Sequence, residues 1–182
     1  MKSRMLLIIG TAGFLSSLAT AKASSEISPR ALDHIRKEVR HELAMLPFLG
    51  VFDNVGYRID GSTVTLVGQV TRASLKSDAG NSVKSIEGVE RVDNQIEVLP
   101  VSHSDNVLRL RLYRTIYGFG QLQKYALSVD KPIRIIVKNA RVTLEGVVDC
   151  VVDRDIVGIQ ANSVADVFSV KNNLQIAKVK RN

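Results

Sequence analysis

Three small groups of residues in this 182-residue chain are of types that bind metals, move protons or hold phosphate. His34 and His41 fall two helical turns apart with Lys37 between them. Zinc ligands on one helix usually sit a single turn apart and need further partners, and no cysteine or third histidine accompanies this pair. They read as solvated side chains. Asp149, Asp153 and Asp155 gather at an expected helix start, where carboxylates suit the positive end of the helix dipole. They lack the glycine and terminal glutamate of a calcium loop. Gly118-Phe119-Gly120 has neither the downstream glycine nor the lysine–serine pair of a phosphate loop, and no nucleophile elbow occurs. The sequence therefore offers no catalytic residue, no metal site and no cofactor site, and reads as a non-enzyme.

A fourth group is different in kind. Between Asn106 and Tyr125, the cations Arg109, Arg111, Arg114 and Lys124 are interleaved with leucines and aromatic residues. At about 100° per residue, Leu110, Tyr113 and Tyr117 share an arc that matches the core stripe of an earlier helix. A second arc holds Leu108, Leu112, Phe119 and Leu122, and Ile116 bridges the two. Arg111 and Arg114 take the remaining side, and Arg109 falls within the apolar region. One small sheet cannot bury both arcs. Either the surplus packs on a neighbouring domain, beneath the apolar connector Phe48–Phe52, or it enters a membrane interface where arginines meet anionic head groups. On the second reading the contacts are Arg109, Arg111, Leu112, Arg114, Phe119, Leu122 and Lys124. Each cation there contributes on the order of 1 kcal/mol, so apolar insertion must add to them.

The elements that position this helix follow from a repeat. Val64-Thr65-Leu66-Val67-Gly68 recurs as Val142-Thr143-Leu144-Glu145-Gly146, an offset of 78 residues. Without a gap the same offset pairs Gly80 with Gly158, Val89 with Val167, Val92 with Val170 and Asn94 with Asn172. A constant offset across several elements means two copies of one fold. In the first copy, Ser28-Pro29 starts a helix whose stripe is Leu32, Ile35, Val39, Leu43 and Leu46, and Pro47 ends it. Val55, Tyr57 and Ile59 alternate as a strand, and Asp60-Gly61 signals a hairpin into the repeated strand. Leu75, Ala79, Val83 and Ile86 make a second helix, and a third strand follows before Pro100. The expected fold class is α/β of the α+β type. Two tandem small domains, 28–100 and 106–179, are joined by a linker at 101–105. Each is helix-strand-strand-helix-strand, with a three-stranded mixed sheet packed on two helices. So short a linker implies that the domains touch.

The N-terminus reads as an address. Lys2 and Arg4 precede an apolar run to Leu18, too short for a bilayer span of about 20 residues. Ala21-Lys22-Ala23 supplies the small-x-small pattern of signal cleavage after Ala23. No cysteine lies near that site, so a lipoprotein is not expected, and the mature chain is placed in the periplasm. Cleavage removes three cations and no acid, lowering the formal charge from +7 to +4. That favours anionic surfaces mildly, and no basic cluster or stacking platform points to nucleic acid. Cys150 stands alone and makes no internal disulfide. It either bridges two chains or stays a quiet thiol.

The Val-Thr-Leu-x-Gly strand, the helix after it and the Gly88-Val-x-x-Val-x-Asn94-x-Ile96 segment resemble the BON (bacterial OsmY and nodulation) domain. Copy two repeats them as Asp166-Val167-x-x-Val170-x-Asn172-x-Leu174, with Asp166 in place of Gly88. The resemblance runs from about Leu32 to Ile176. It implies a tandem exported type, an envelope location, attachment to phospholipid or envelope components, a link to stress response, and no catalysis. Gly68 and Gly146 are read structurally, as sites where a helix approaches the strand or a bulge forms. Asn94 and Asn172 are read as backbone-bonding residues at the last strand. The partner expected is an anionic phospholipid surface, with an envelope protein as the alternative.

Overall fold

The computed structural model describes residues 28–128 and 131–177. The expected export signal, 1–23, lies outside the described residues. Helix α1 (Pro29–Ala44) begins where Ser28 Oγ accepts the Ala31 N–H at 3.3 Å, with proline at the first helical position. It buries Ile35, Val39 and Leu43 and leaves its charged side wet. Strands β1 (Asn54–Asp60) and β2 (Thr63–Val70) form an antiparallel hairpin. Asp60 pairs with Thr63, so the turn residues are Gly61 and Ser62 rather than Asp60 and Gly61. Helix α2 (Ala73–Lys84) follows.

The third strand position is filled by two short pieces, β3 (Arg91–Asn94) and β4 (Glu97–Val98), both parallel to β2. The expected single strand is broken because Ile96 turns fully into the core between them. Val64, Leu66 and Val70 of the sheet, Leu75, Ala79 and Val83 of α2 and Ile35, Val39 and Leu43 of α1 meet in one core. Both helices therefore cover the same face.

Copy two repeats the plan with α3 (His103–Tyr117), β5 (Ile133–Lys138), β6 (Arg141–Val148), α5 (Val151–Asn162), β7 (Ser169–Asn172) and β8 (Gln175–Ile176). Residues 103–105, expected in the linker, form the first turn of α3 and are capped by Ser102, whose Oγ accepts the Asp105 N–H at 3.2 Å. The expected helix to Lys124 stops at Gly118. A 3-10 turn (Gly120–Leu122) and a short helix α4 (Gln123–Ala126) complete the span.

Gly68 and Gly146 sit at φ 124° and 121°, and a Cβ there would run into the carbonyl of Asn54 or Pro132 on the partner strand. The close approach is therefore between neighbouring strand segments, not the helix-to-strand approach expected of these glycines. Asn94 and Asn172 act at the break of the third strand. Asn94 Nδ2 donates to the Lys76 carbonyl at 2.7 Å, and its Oδ1 accepts the Ile96 N–H. Asn172 does the same with Arg154 and Leu174. Asp166 replaces Gly88 at φ 72°. Aspartate tolerates this left-handed conformation better than most residues, and here it also bonds Arg111.

Candidate functional site

The core trio of α3 is Leu108, Leu112 and Ile116. These residues stand 73 positions after Ile35, Val39 and Leu43, the core trio of α1. The repeat thus continues into the first helix, displaced by five residues inserted around the 3-10 turn and α4. The two arcs exchange their expected roles. Leu108, Leu112 and Leu122 are core, whereas Leu110 is 51% exposed and Tyr113 packs edge-on against Phe52 of copy one at 6.3 Å. Tyr117 lies between, buried, with its ring 5.0 Å from Tyr113.

This placement corrects part of the expected contact surface. Leu112 and Leu122 have no exposed surface, and Arg109 is only 4% exposed, so none of the three can meet a membrane. Arg109 instead donates from Nη2 to the Val137 carbonyl at 2.6 Å and from Nη1 to Asn106 Oδ1. Burial pushes this guanidinium below the usual arginine range, against the pull of Asp105 and Asp53. Lys124 is half exposed, but its ammonium contacts Asp149 and Asp153, each at 2.7 Å. Those carboxylates, Asp149 foremost, hold it above the usual lysine range. Arg111 is exposed and pairs with Asp166 at 2.7 Å. Arg114 and Phe119 are exposed, and Arg114 has no polar partner among the described residues.

Arg109 belongs to a device that periodicity does not reveal. Strand β5 is the edge of its sheet, and unpaired edge groups invite pairing with other chains. The outward groups of β5 are covered one after another. Tyr117 Oη donates to the Ile133 carbonyl at 2.6 Å and accepts the Ile133 N–H at 3.2 Å. The Val51 carbonyl accepts the Ile135 N–H at 2.8 Å, and Arg109 takes Val137. Asp105, also buried, accepts the N–H groups of Asn139 and Ala140 in the hairpin turn, where both residues have positive φ. The matching edge of copy one, Val55, Tyr57 and Ile59 of β1, has no such cover among the described residues.

The domains touch, as so short a linker implied. Val51 and Phe52 leave copy one and pack against the core of copy two. Arg134 Nη1 donates to the Gly50 carbonyl at 2.8 Å, and Lys138 pairs with Glu97 at 2.5 Å. Asp53, buried in the same connector, accepts the Gly50 N–H and both the N–H and hydroxyl of Thr71. Phe48 stays out, 75% exposed under the Arg72 guanidinium. Between the domains lies a groove of about 660 Å³ whose walls include Leu49, Phe52, Leu110, Tyr113, Lys131 and Arg134. Sequence reasoning did not find it, because it depends on how the two copies dock.

The acidic group resolves into a lock. Asp153, 1% exposed, accepts hydrogen bonds from Tyr125 Oη at 2.6 Å, from Gln121 and from Lys124. Burial alone would raise its pKa, but these donors outweigh it and hold the carboxyl at about 2. Burial pushes the Tyr125 phenol up to about 12, although its oxygen also accepts the Asp149 N–H. That N–H corresponds to the Thr71 N–H, which Asp53 takes in copy one. One backbone donor is thus satisfied by two unrelated side chains. Cys150 is half-buried at the start of α5. No group of histidine, cysteine and carboxylate side chains suited to a metal occurs among the described residues, and none of their helices is long and apolar enough to cross a membrane.

Two small α/β units with matched glycine and asparagine positions define a duplicated domain of known type. The model of the BON domain matches residues 31–100 and 121–178, and the chain belongs to this family. The whole of α3 lies between the two matched segments. A search of curated proteins finds no match. Among solved structures, the chain is similar to the C-terminal domain of CdsD, the structural protein of the Type III secretion system of Chlamydia trachomatis. That likeness has 13% identity and a TM-score of 0.29, covering 84% of this chain and 100% of the other. A second CdsD structure gives 13% identity and a TM-score of 0.28, over 79% and 93%.

Proposed function

We propose that this protein is an exported, non-enzymatic envelope component that docks on anionic phospholipid surfaces through the outer side of α3 and supports envelope integrity or stress response. The observation that carries the reading is Arg114, exposed and without a polar partner among the described residues, one turn from Arg111 and followed by the exposed ring of Phe119. Cations beside an insertable aromatic group are the ingredients of interfacial attachment. Arg114 contributes only about 1 kcal/mol, and Arg111 less because it shares its charge with Asp166, so the attachment is weak, reversible and salt-sensitive. Export with cleavage after Ala23 places the protein where such surfaces lie. The test is sedimentation of the purified protein with vesicles at low salt. It pellets with vesicles rich in phosphatidylglycerol and stays behind with phosphatidylcholine alone; equal behaviour with both refutes the reading.

One observation favours a second reading, a protein-interaction adaptor. The β1 edge, uncovered among the described residues, offers the outward groups of Val55, Tyr57 and Ile59, the positions that are covered in copy two. A partner's extended segment adds to such an edge by main-chain pairing. Co-purification of a stoichiometric envelope protein, lost when Tyr57 is replaced by proline, selects this reading.

A further inference from the structure

The groove between the domains has a composition that neither the fold nor the membrane reading requires. Its apolar walls are Leu49, Val51, Phe52, Leu110 and Tyr113, drawn from both copies. No acidic side chain lines it among the described residues, while two cations do, Lys131 and Arg134. Lys131 makes no ion pair among the described residues, and Arg134 spends one Nη donor on the Gly50 carbonyl. The walls are fixed before any ligand arrives. Val51 is tied to Ile135 through its carbonyl, Gly50 to Asp53 through its N–H, and Tyr113 is held between the rings of Phe52 and Tyr117. Preorganisation of this kind lowers the ordering cost of binding. Clefts at domain interfaces are a preferred place for small-molecule sites, and the volume of about 660 Å³ falls within their usual range of roughly 300–1,000 Å³.

We propose that this groove binds a long-chain carboxylate, one fatty-acid anion per protein. The chain covers Leu110, which is otherwise half exposed in the wall, and the carboxylate meets Lys131 and the remaining donors of Arg134. A monoanion suits this charge better than a larger polar head. Apart from the two cations and the Tyr113 hydroxyl, the lining side chains carry no polar group that could satisfy a glycerol or sugar. The site is separate from the outer side of α3, because Arg111, Arg114 and Phe119 do not line it.

The experiment is calorimetric titration of the full purified protein with palmitate below its micellar concentration, beside the Lys131→Glu and Ala44→Trp variants. Ala44 lines the groove from the last turn of α1 and is exposed, so tryptophan fills the cleft without entering a core. Palmitate saturates at one per protein, weakens about tenfold or more in Lys131→Glu, and does not bind Ala44→Trp. Both variants still sediment with anionic vesicles as the parent does. No saturable binding to the parent, or equal binding to parent and Lys131→Glu, overturns the proposal. Loss of vesicle binding together with palmitate binding in Lys131→Glu also overturns it, because the groove would then not be a separate site. Should Ala44→Trp fail to fold, the surface variant Lys131→Glu decides alone. Failure of palmitate binding leaves the membrane reading standing, and failure of vesicle binding leaves the groove standing.

Discussion

The carboxamide of Asn94 lies directly over Gly80, so that a Cβ on that glycine would stand 2.8 Å from Asn94 Nδ2. Copy two repeats the arrangement with Gly158 and Asn172 at 3.0 Å. The glycine leaves the helix bare where the asparagine must reach the Lys76 or Arg154 carbonyl, and the other end of the same amide holds the break in the third strand. Two residues that recur at one offset are therefore a single clamp between helix and sheet.

The clamp predicts a change of sign. Alanine is favoured over glycine inside a helix by about 1 kcal/mol, yet Gly80→Ala displaces Asn94 from two hydrogen bonds worth about 1 kcal/mol each. Gly80→Ala therefore destabilises the native protein by about 1 kcal/mol and stabilises an Asn94→Ala background by a similar amount. Urea midpoints of the four proteins measure this. The same sign in both backgrounds contradicts the clamp.

Arg109 is predicted to be structural. Arg109→Ala strands the Val137 carbonyl and removes the cation beside Asp105. Leaving a buried acceptor unsatisfied costs about 1–3 kcal/mol, so the thermal midpoint falls while vesicle binding per folded molecule is unchanged. A stable variant that no longer sediments with anionic vesicles would return Arg109 to the surface.

The fold and the site were unequally legible. The offset of 78 residues runs from the first hairpin to the last strand because all of it packs against one sheet plan, and it exposed the domain pair directly. The first helix escaped, because residues inserted after Gly118 shift it to an offset of 73. Aligning Ile35, Val39 and Leu43 with Leu108, Leu112 and Ile116 was the signal that could have found it. With that shift, Arg109 falls on Arg36, which is solvated and pairs with Asp33 at 2.6 Å. The same arginine position is wet in one copy and buried in the other because α3 crosses the β5 edge. No periodicity carries that information, since it depends on the register between a helix and a strand some 28 residues apart. The break in the third strand was hidden for a simpler reason. Val92, Ile96 and Val98 alternate well enough to look continuous.

Asp153 sets an acid limit on copy two. Its folded pKa of about 2 lies below the ordinary aspartate value, so its bonds to Lys124, Tyr125 and Gln121 stabilise the fold above about pH 4. That contribution is lost as pH falls from about 4 through 2. The difference in thermal midpoint between parent and Asp153→Asn is predicted to be greatest above pH 5 and to shrink over this window. A difference independent of pH contradicts the assignment.

Phe52 and Val51 are predicted to hold the β5 edge of copy two closed, as a local contact between the copies. Phe52→Ala removes the edge contact with Tyr113 and loosens the connector that caps Ile135. Hydrogen exchange at the Ile135 amide should accelerate at least about tenfold, through local opening, while the central-strand Leu144 amide keeps its parent rate. Equal acceleration of both amides would mean that the connector supports the whole of copy two rather than its edge.

The most direct test of surface attachment is the charge on the outer side of α3. The comparison is sedimentation with phosphatidylglycerol vesicles, over a series of salt concentrations, of the parent and of the double variant Arg111→Glu, Arg114→Glu. The parent is predicted to bind at low salt and release as salt rises, and the double variant to stay in the supernatant throughout while its thermal midpoint is little changed. A double variant that pellets as the parent does, with the same salt dependence, contradicts this attachment.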